Sequence, residues 1–225
     1  MDKGERTNND QIDLDNTNQM LYRNLYQLPP KNGNYIILYF EISEFQKEEY
    51  IMEICAIEVI NGEYTGHRLL LFIHPKFVNQ KLVEKNSCIK NYYFETGVPA
   101  FVNDKEQLKN FSKFIQDWII ITHNVPMVME SINHELKYWG LKEIPIQRFC
   151  CTMLIFREML RKFDPSNPLC DEKFISLKYC CDFFEILILE DKFQISFYKC
   201  DDVFDLMLNL REKLTNDQCI LNAKN

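Results

Sequence analysis

Apolar positions in this chain follow one rhythm in its first half and another in its second. "YIILYFEIS" (35–43) is a nearly continuous apolar run ending on one carboxylate, Glu41, and predicts a buried strand. "YIMEICAIEVI" (50–60) alternates over much of its length, as a half-buried strand does. "NGEYTG" supplies turn chemistry, and "HRLLLFIHP" runs to a Pro that ends a third strand. The three predict an antiparallel meander, its first strand the most buried.

Beyond an irregular stretch at 75–103 the period lengthens. In "DKEQLKNFSKFIQDW" the residues Leu108, Phe111, Phe114, Ile115 and Trp118 fall at helical spacing, with Asp104 placed to cap. "WIIITHN" is wholly apolar, as a central parallel strand requires. "PMVMESINHELKYWGL" predicts a helix with Pro126 in its first turn and Gly140 at its end. A strand at "IQRFCCT", a helix at "TMLIFREMLRKF", a loop at "DPSNPLCDEKF" and a helix at "SLKYCCDFFEIL" follow. A last helix starts near Lys199, with Val203, Leu206, Met207, Leu210 and Leu214 on one stripe.

These elements predict an α/β fold with a mixed central sheet. The domain organisation expected is a disordered N-terminal tail (1–20), an arm (21–33), one domain (34–214) and a frayed C-terminal tail (215–225). At 225 residues, 46% hydrophobic and 26% charged, the chain is an ordinary globular one. It can bury roughly 70–75% of its unfolded surface without a staple.

Composition narrows the function classes. No apolar run approaches the ~18 residues of a membrane span, and the polar start has no apolar signal core. Nine cysteines are scattered without a CxxC, and His67, His74 and His134 do not cluster. The expectation is an intracellular protein with reduced, buried thiols, no structural zinc and no membrane partner. A net charge of −7 makes a poor general nucleic-acid binder, so a protein partner is expected ahead of RNA. The basic cluster Arg157, Arg161 and Lys162 reads as a solvated helix face.

Several short stretches, in order, resemble the DnaQ-like (DEDDh) 3′–5′ exonucleases of the ribonuclease H-like fold. They are "YFE" (39–41), "MEICAIEV" (52–59), "HNVPMVMESINHEL" (123–136), "CCTMLIFRE", "SLKYCCDFFEI" (176–186) and "SFYKCDD" (196–202). The likeness covers roughly residues 34–212, and the second motif, opening on His123 and Asn124, is its most specific part.

The family holds two Mg²⁺ or Mn²⁺ ions with four acids and uses a His as general base, as the resemblance implies. Carried over by position, the first Asp is Tyr39 and the paired Glu is kept as Glu41. The second-motif Asp falls on Val128, the base on Ser196, and the last Asp is kept as Asp201. A phenol with pKa ~10 is a poor Mg²⁺ ligand and valine is none. At most one weak metal at Glu41 and Asp201 is expected, and no cofactor; Mg²⁺ or Mn²⁺ enters only if the chain is a divergent exonuclease. Of the neighbouring acids that could substitute, Asp202 and Asp205 flank Asp201 and Glu130 follows Val128. Glu130 should face away, and Asp205 shares Asp201's face one turn further from the strand ends. Tyr39, His123 and Asn124 are the expected cleft-lining residues, and His123 is also placed to fix the strand-to-helix turn.

The resemblance therefore implies a non-cutting exonuclease-like adaptor, as in degenerate relatives such as Exuperantia and Maelstrom, which serve in RNA localisation and small-RNA silencing. A cutting 3′–5′ exonuclease and a non-cleaving RNA-binding module are the alternatives.

Overall fold

A computed structural model of the chain describes residues 23–45, 48–72, 104–188 and 195–222. Strand β1 (Tyr35–Phe45) pairs antiparallel with β2 (Glu48–Ile60), which pairs antiparallel with β3 (Glu63–Phe72). The other edge of β1 takes β4 (Ile119–Thr122) in parallel, and β4 takes β5 (Phe149–Cys151) in parallel. The sheet order is β3-β2-β1-β4-β5, so the most apolar run is also the central strand. Tyr35, Ile36, Ile37 and Leu38 are fully buried there.

Side chains alternate across the sheet, and both faces of β1 are covered. On one face Phe40 meets Phe111 of helix α1 (Asp104–Phe114) edge-on, ring centroids 6.2 Å apart. The other face lies under helix α5 (Ile195–Asn222), which packs on β1 and β2. There the Cys200 thiol donates to the Cys55 carbonyl at 3.2 Å. Helices α3 (Thr152–Phe163) and α4 (Leu177–Phe183) pack against α5, and α2 (Val125–Tyr138) follows β4.

The predicted mixed α/β sheet with an antiparallel meander is the observed one, and several boundaries differ for physical reasons. Helix α1 stops at Phe114, short of Trp118. The Arg148 guanidinium takes the carbonyls of Ile115 and Trp118 (2.9 and 2.7 Å to Trp118), and Asp117 turns left-handed at φ 64°. Of "IQRFCCT" only Phe149–Cys151 is strand, because Ile146–Arg148 coil into a 3-10 turn. The last helix begins at Ile195, not near Lys199, and runs through residues 215–222, which were expected to fray. Nothing in that span, free of Gly and Pro, interrupts it. Helix α4 ends at Phe183, with Ser176 Oγ accepting from Tyr179 N at its start and Glu185 at φ 57° just beyond its end.

Cysteines 55, 150, 151, 170, 180, 181 and 200 are all free and buried, as expected. The expected basic face is already engaged. Arg157 donates to the Glu172 carbonyl, Arg161 pairs with Glu158, and Lys162 sits over the Phe163 ring. The N-terminal tail, the irregular stretch at 75–103 and the last residues of the C-terminal tail lie outside the described residues.

The β2–β3 turn is pinned to the segment before β1. Asn61 and Gly62 both have positive φ (54° and 78°), the "NG" hairpin signature. Gly62 N donates to the Gly33 carbonyl at 3.0 Å and Asn61 N to Asn34 Oδ1 at 2.9 Å. A Cβ on Gly62 would collide with the Lys31 carbonyl. Gly62→Ala is therefore expected to cost roughly 1–3 kcal/mol. The measurement is a lowered urea midpoint at unchanged m-value.

Candidate active-site cleft

Tyr39 and Glu41, two residues apart on β1, project to the face beneath α5. Their cross-strand partners are Cys55 and Glu53, so Glu53 stands opposite Glu41 on that same face. The β1–β2 register shifts immediately after Glu41, and such a bulge re-aims the strand end. Glu53 is only 7% exposed and was not singled out from the sequence. Its signal was present: one acid among Ile51, Cys55, Ile57 and Val59 on a buried strand face.

Burial dominates the electrostatics of this group. It raises the Glu41 carboxyl above the ordinary range, against the opposing pull of Lys199. It also raises the Tyr39 phenol, as do the fields of Glu41, Cys200, Asp202 and Glu53, so the phenol is protonated at neutral pH.

Helix α5 contributes four consecutive residues with different surroundings. Lys199 Nζ lies 3.3 Å from Asp202 Oδ2, one turn along the helix. Cys200 points to the sheet. Asp201 is half-buried, and Arg68 of β3 is the positive charge acting on it. Asp202 is 5% exposed, and its field reaches Tyr39. The acid grouped with Tyr39 and Glu41 is thus Asp202, one residue beyond the expected Asp201. Neighbouring helical residues point about 100° apart, so packing decides between them. This shift moves the corresponding base position from Ser196 to Phe197. Both sit in the first turn of α5, and their side chains lie outside the described residues. Glu130 and Asp205 are exposed, and Asp205 acts on both Asp201 and Asp202.

Val128, in the first turn of α2, is 3% exposed and packed into the core. The position that the resemblance assigns to the second-motif Asp is thereby filled by methyl groups. Asn124 makes the turn from β4 into α2 at φ 56°, ψ 57°, a left-handed conformation that Asn tolerates. Its amide donates to Met127 Sδ at 3.5 Å.

His123 is buried and does not line a cleft. Nε2 lies 2.7 Å from the Ile175 carbonyl, which only accepts, so Nε2 carries the proton. Nδ1, 3.0 Å from Thr152 Oγ1, then accepts from the hydroxyl. His123 thus ties the end of β4 to α3 and to the segment before α4. Fixing this turn is the role it fills, and the cleft-lining expectation is corrected.

The two-metal centre implied by the resemblance does not fit these donors. A phenol and a valine hold two ligand positions, and an ammonium lies against the carboxylate from α5. Among the described residues, no three His, Cys, Asp or Glu side chains converge as a metal would need. No step through a metal follows from this arrangement.

Burial lowers the His123 pKa to about 4, with the Ile175 hydrogen bond opposing. The folded value lies below the unfolded value of ~6.5, so the unfolded chain binds the proton more readily. His123 therefore leaves stability untouched above pH ~6.5 and removes on the order of 3 kcal/mol as pH falls to ~4. Urea unfolding between pH 8 and 4 measures this, and an NMR titration should show one histidine with no inflection near pH 6.5.

No protein-family profile matches the chain. It is similar to DNA polymerase III subunit epsilon of Rickettsia prowazekii (strain Madrid E), 30% identical over 121 residues, covering 51% of this chain and 49% of that protein. It is similar also to the epsilon subunit of Buchnera aphidicola subsp. Baizongia pistaciae (strain Bp), 27% identical over 180 residues, covering 74% and 70%. The chain spans about half the length of most curated relatives it matches. A solved structure of 3′-end specific recognition of histone mRNA stem-loop by a 3′-exonuclease aligns with a TM-score of 0.50 at 10% identity, over 92% of this chain and 76% of that one. In sequence the chain is similar to DNA polymerase III epsilon subunits, and in fold it is similar to that solved 3′-exonuclease structure.

Proposed function

We propose that this DnaQ-like domain binds without cutting, as an adaptor whose cleft has been converted from a metal centre to a closed, partly neutralised surface. The observation that carries this reading is the set of residues at the ligand positions: protonated Tyr39 beside Glu41, core-packed Val128, and Asp202 held by Lys199. Four carboxylates that could bring two divalent ions together are not available from that set. The acidic net charge favours a protein partner over RNA. Adaptor roles in RNA localisation or RNA silencing are the settings suggested by degenerate relatives of this fold.

A second reading has one observation in its favour. Glu41, Glu53 and Asp202 all act on Tyr39, so carboxylates persist in the cleft, and the relatives are polymerase epsilon subunits. A divergent metal-dependent 3′–5′ exonuclease would use those acids. The solved structure's recognition of an RNA 3′ end makes single-stranded RNA a substrate to include.

End-labelled single-stranded RNA and DNA, incubated with purified protein in Mg²⁺ or Mn²⁺, separate the two readings. The expected result is no shortening. Loss of a general base alone typically lowers such rates 10²–10⁴-fold. Trimming by the wild type that is abolished in both Glu41→Gln and Asp202→Asn would establish the exonuclease instead. Binding of the same RNA that weakens steeply with salt would identify nucleic acid, not protein, as the partner.

A further inference from the structure

We infer that the Lys199 ammonium is a resident cation among these acids, an internal replacement for metal charge that leaves them with no need of a divalent ion. The inference rests on the non-cutting reading above and adds what holds the converted site together.

Carboxylates gathered in a low-dielectric cleft repel one another unless a positive charge sits among them. In a two-metal enzyme the ions supply four positive charges. Here Lys199 Nζ lies 3.3 Å from Asp202 Oδ2. Lysines ordinarily extend their heads into water. Lys199 instead keeps its side chain 22% exposed against an Asp202 side chain that is 7% exposed. Its charge also acts on Glu41, so one ammonium serves acids from both β1 and α5.

The substitutions balance as a set. Tyr39 and Val128 remove two negative charges from the ligand positions, which brings the remaining acids closer to what one monovalent cation can offset. An ammonium already seated against Asp202 repels an incoming Mg²⁺ or Mn²⁺ and occupies the carboxylate oxygen that would bind it. Arg68 acts on Asp201, so the two neighbouring acids of α5 have separate positive partners.

Thermal unfolding with and without millimolar Mn²⁺, together with Mn²⁺ uptake by electron paramagnetic resonance, tests this on the full chain. The wild type is expected to show no Mn²⁺ uptake and an unchanged Tm. Lys199→Met should lower Tm by about 5 °C, take up Mn²⁺ and recover stability with it. Lys199→Arg keeps the charge and should match the wild type, and Lys199→Met combined with Asp202→Asn should lose the Mn²⁺ response. If Lys199→Met folds only with Mn²⁺ present, that dependence is itself the expected result. Failure of Lys199→Met to take up Mn²⁺, whatever its stability, overturns the inference, as does a Lys199→Arg variant that behaves like Lys199→Met. Mn²⁺ uptake by a wild type that trims no RNA or DNA overturns this inference alone. Wild-type trimming overturns the non-cutting reading itself.

Discussion

β1 is hydrogen-bonded along both edges, antiparallel to β2 and parallel to β4, so it cannot slip one residue without exchanging its two buried faces. Fully buried Ile36 and Leu38 belong to one face, and Ile37 to the other. That double pairing holds Tyr39 and Glu41 on the face under α5, and the antiparallel edge sets Glu53 opposite Glu41. The parallel edge fixes the end of β4, from which His123 and Asn124 turn the chain into α2 and bury Val128. The placement of these side chains is therefore a consequence of strand register. The side chains can be exchanged for others while the frame persists.

Much of that frame was legible along the chain because its signals are local. Alternation and the Asn61–Gly62 turn marked the meander, a short apolar run marked β4, and helical spacing with Pro126 and Gly140 marked α2. What local reading missed depends on distant partners. The end of α1 is set by Arg148, some thirty residues further on, and the 3-10 turn before β5 trims a strand that composition alone extends.

The candidate site was legible to the same degree and for the same reason. Tyr39, Glu41 and Val128 lie at motif positions on well-defined elements. Asp201 and Asp202 are adjacent acids on one helix, and only the packing of α5 onto β1, β2 and α4 distinguishes them. Glu53 looked like the polar member of an alternating strand until its pairing with Glu41 placed it under a helix. Lys199 lies within "SFYKCDD" but has no expected role there, since a lysine in a helix's early turns is ordinarily solvated. His123 matched the motif by identity, yet its hydrogen bonds to Thr152 and Ile175 make it a structural tie. A motif residue can thus be held in place by the turn it fixes.

The buried cysteines give this architecture a built-in chemical clock. Burial pushes the thiols of Cys150, Cys180, Cys181 and Cys200 up, so little thiolate is present while the fold is closed. An alkylating reagent can meet these sulfurs only in states that have opened, and its rate then counts how often each region opens. Cys55 and Cys200 lie on the two sides of the α5–β2 contact, whereas Cys150 and Cys151 sit on the far strand of the sheet. Comparing the alkylation of the two pairs would separate the lifting of one helix from the melting of the whole core.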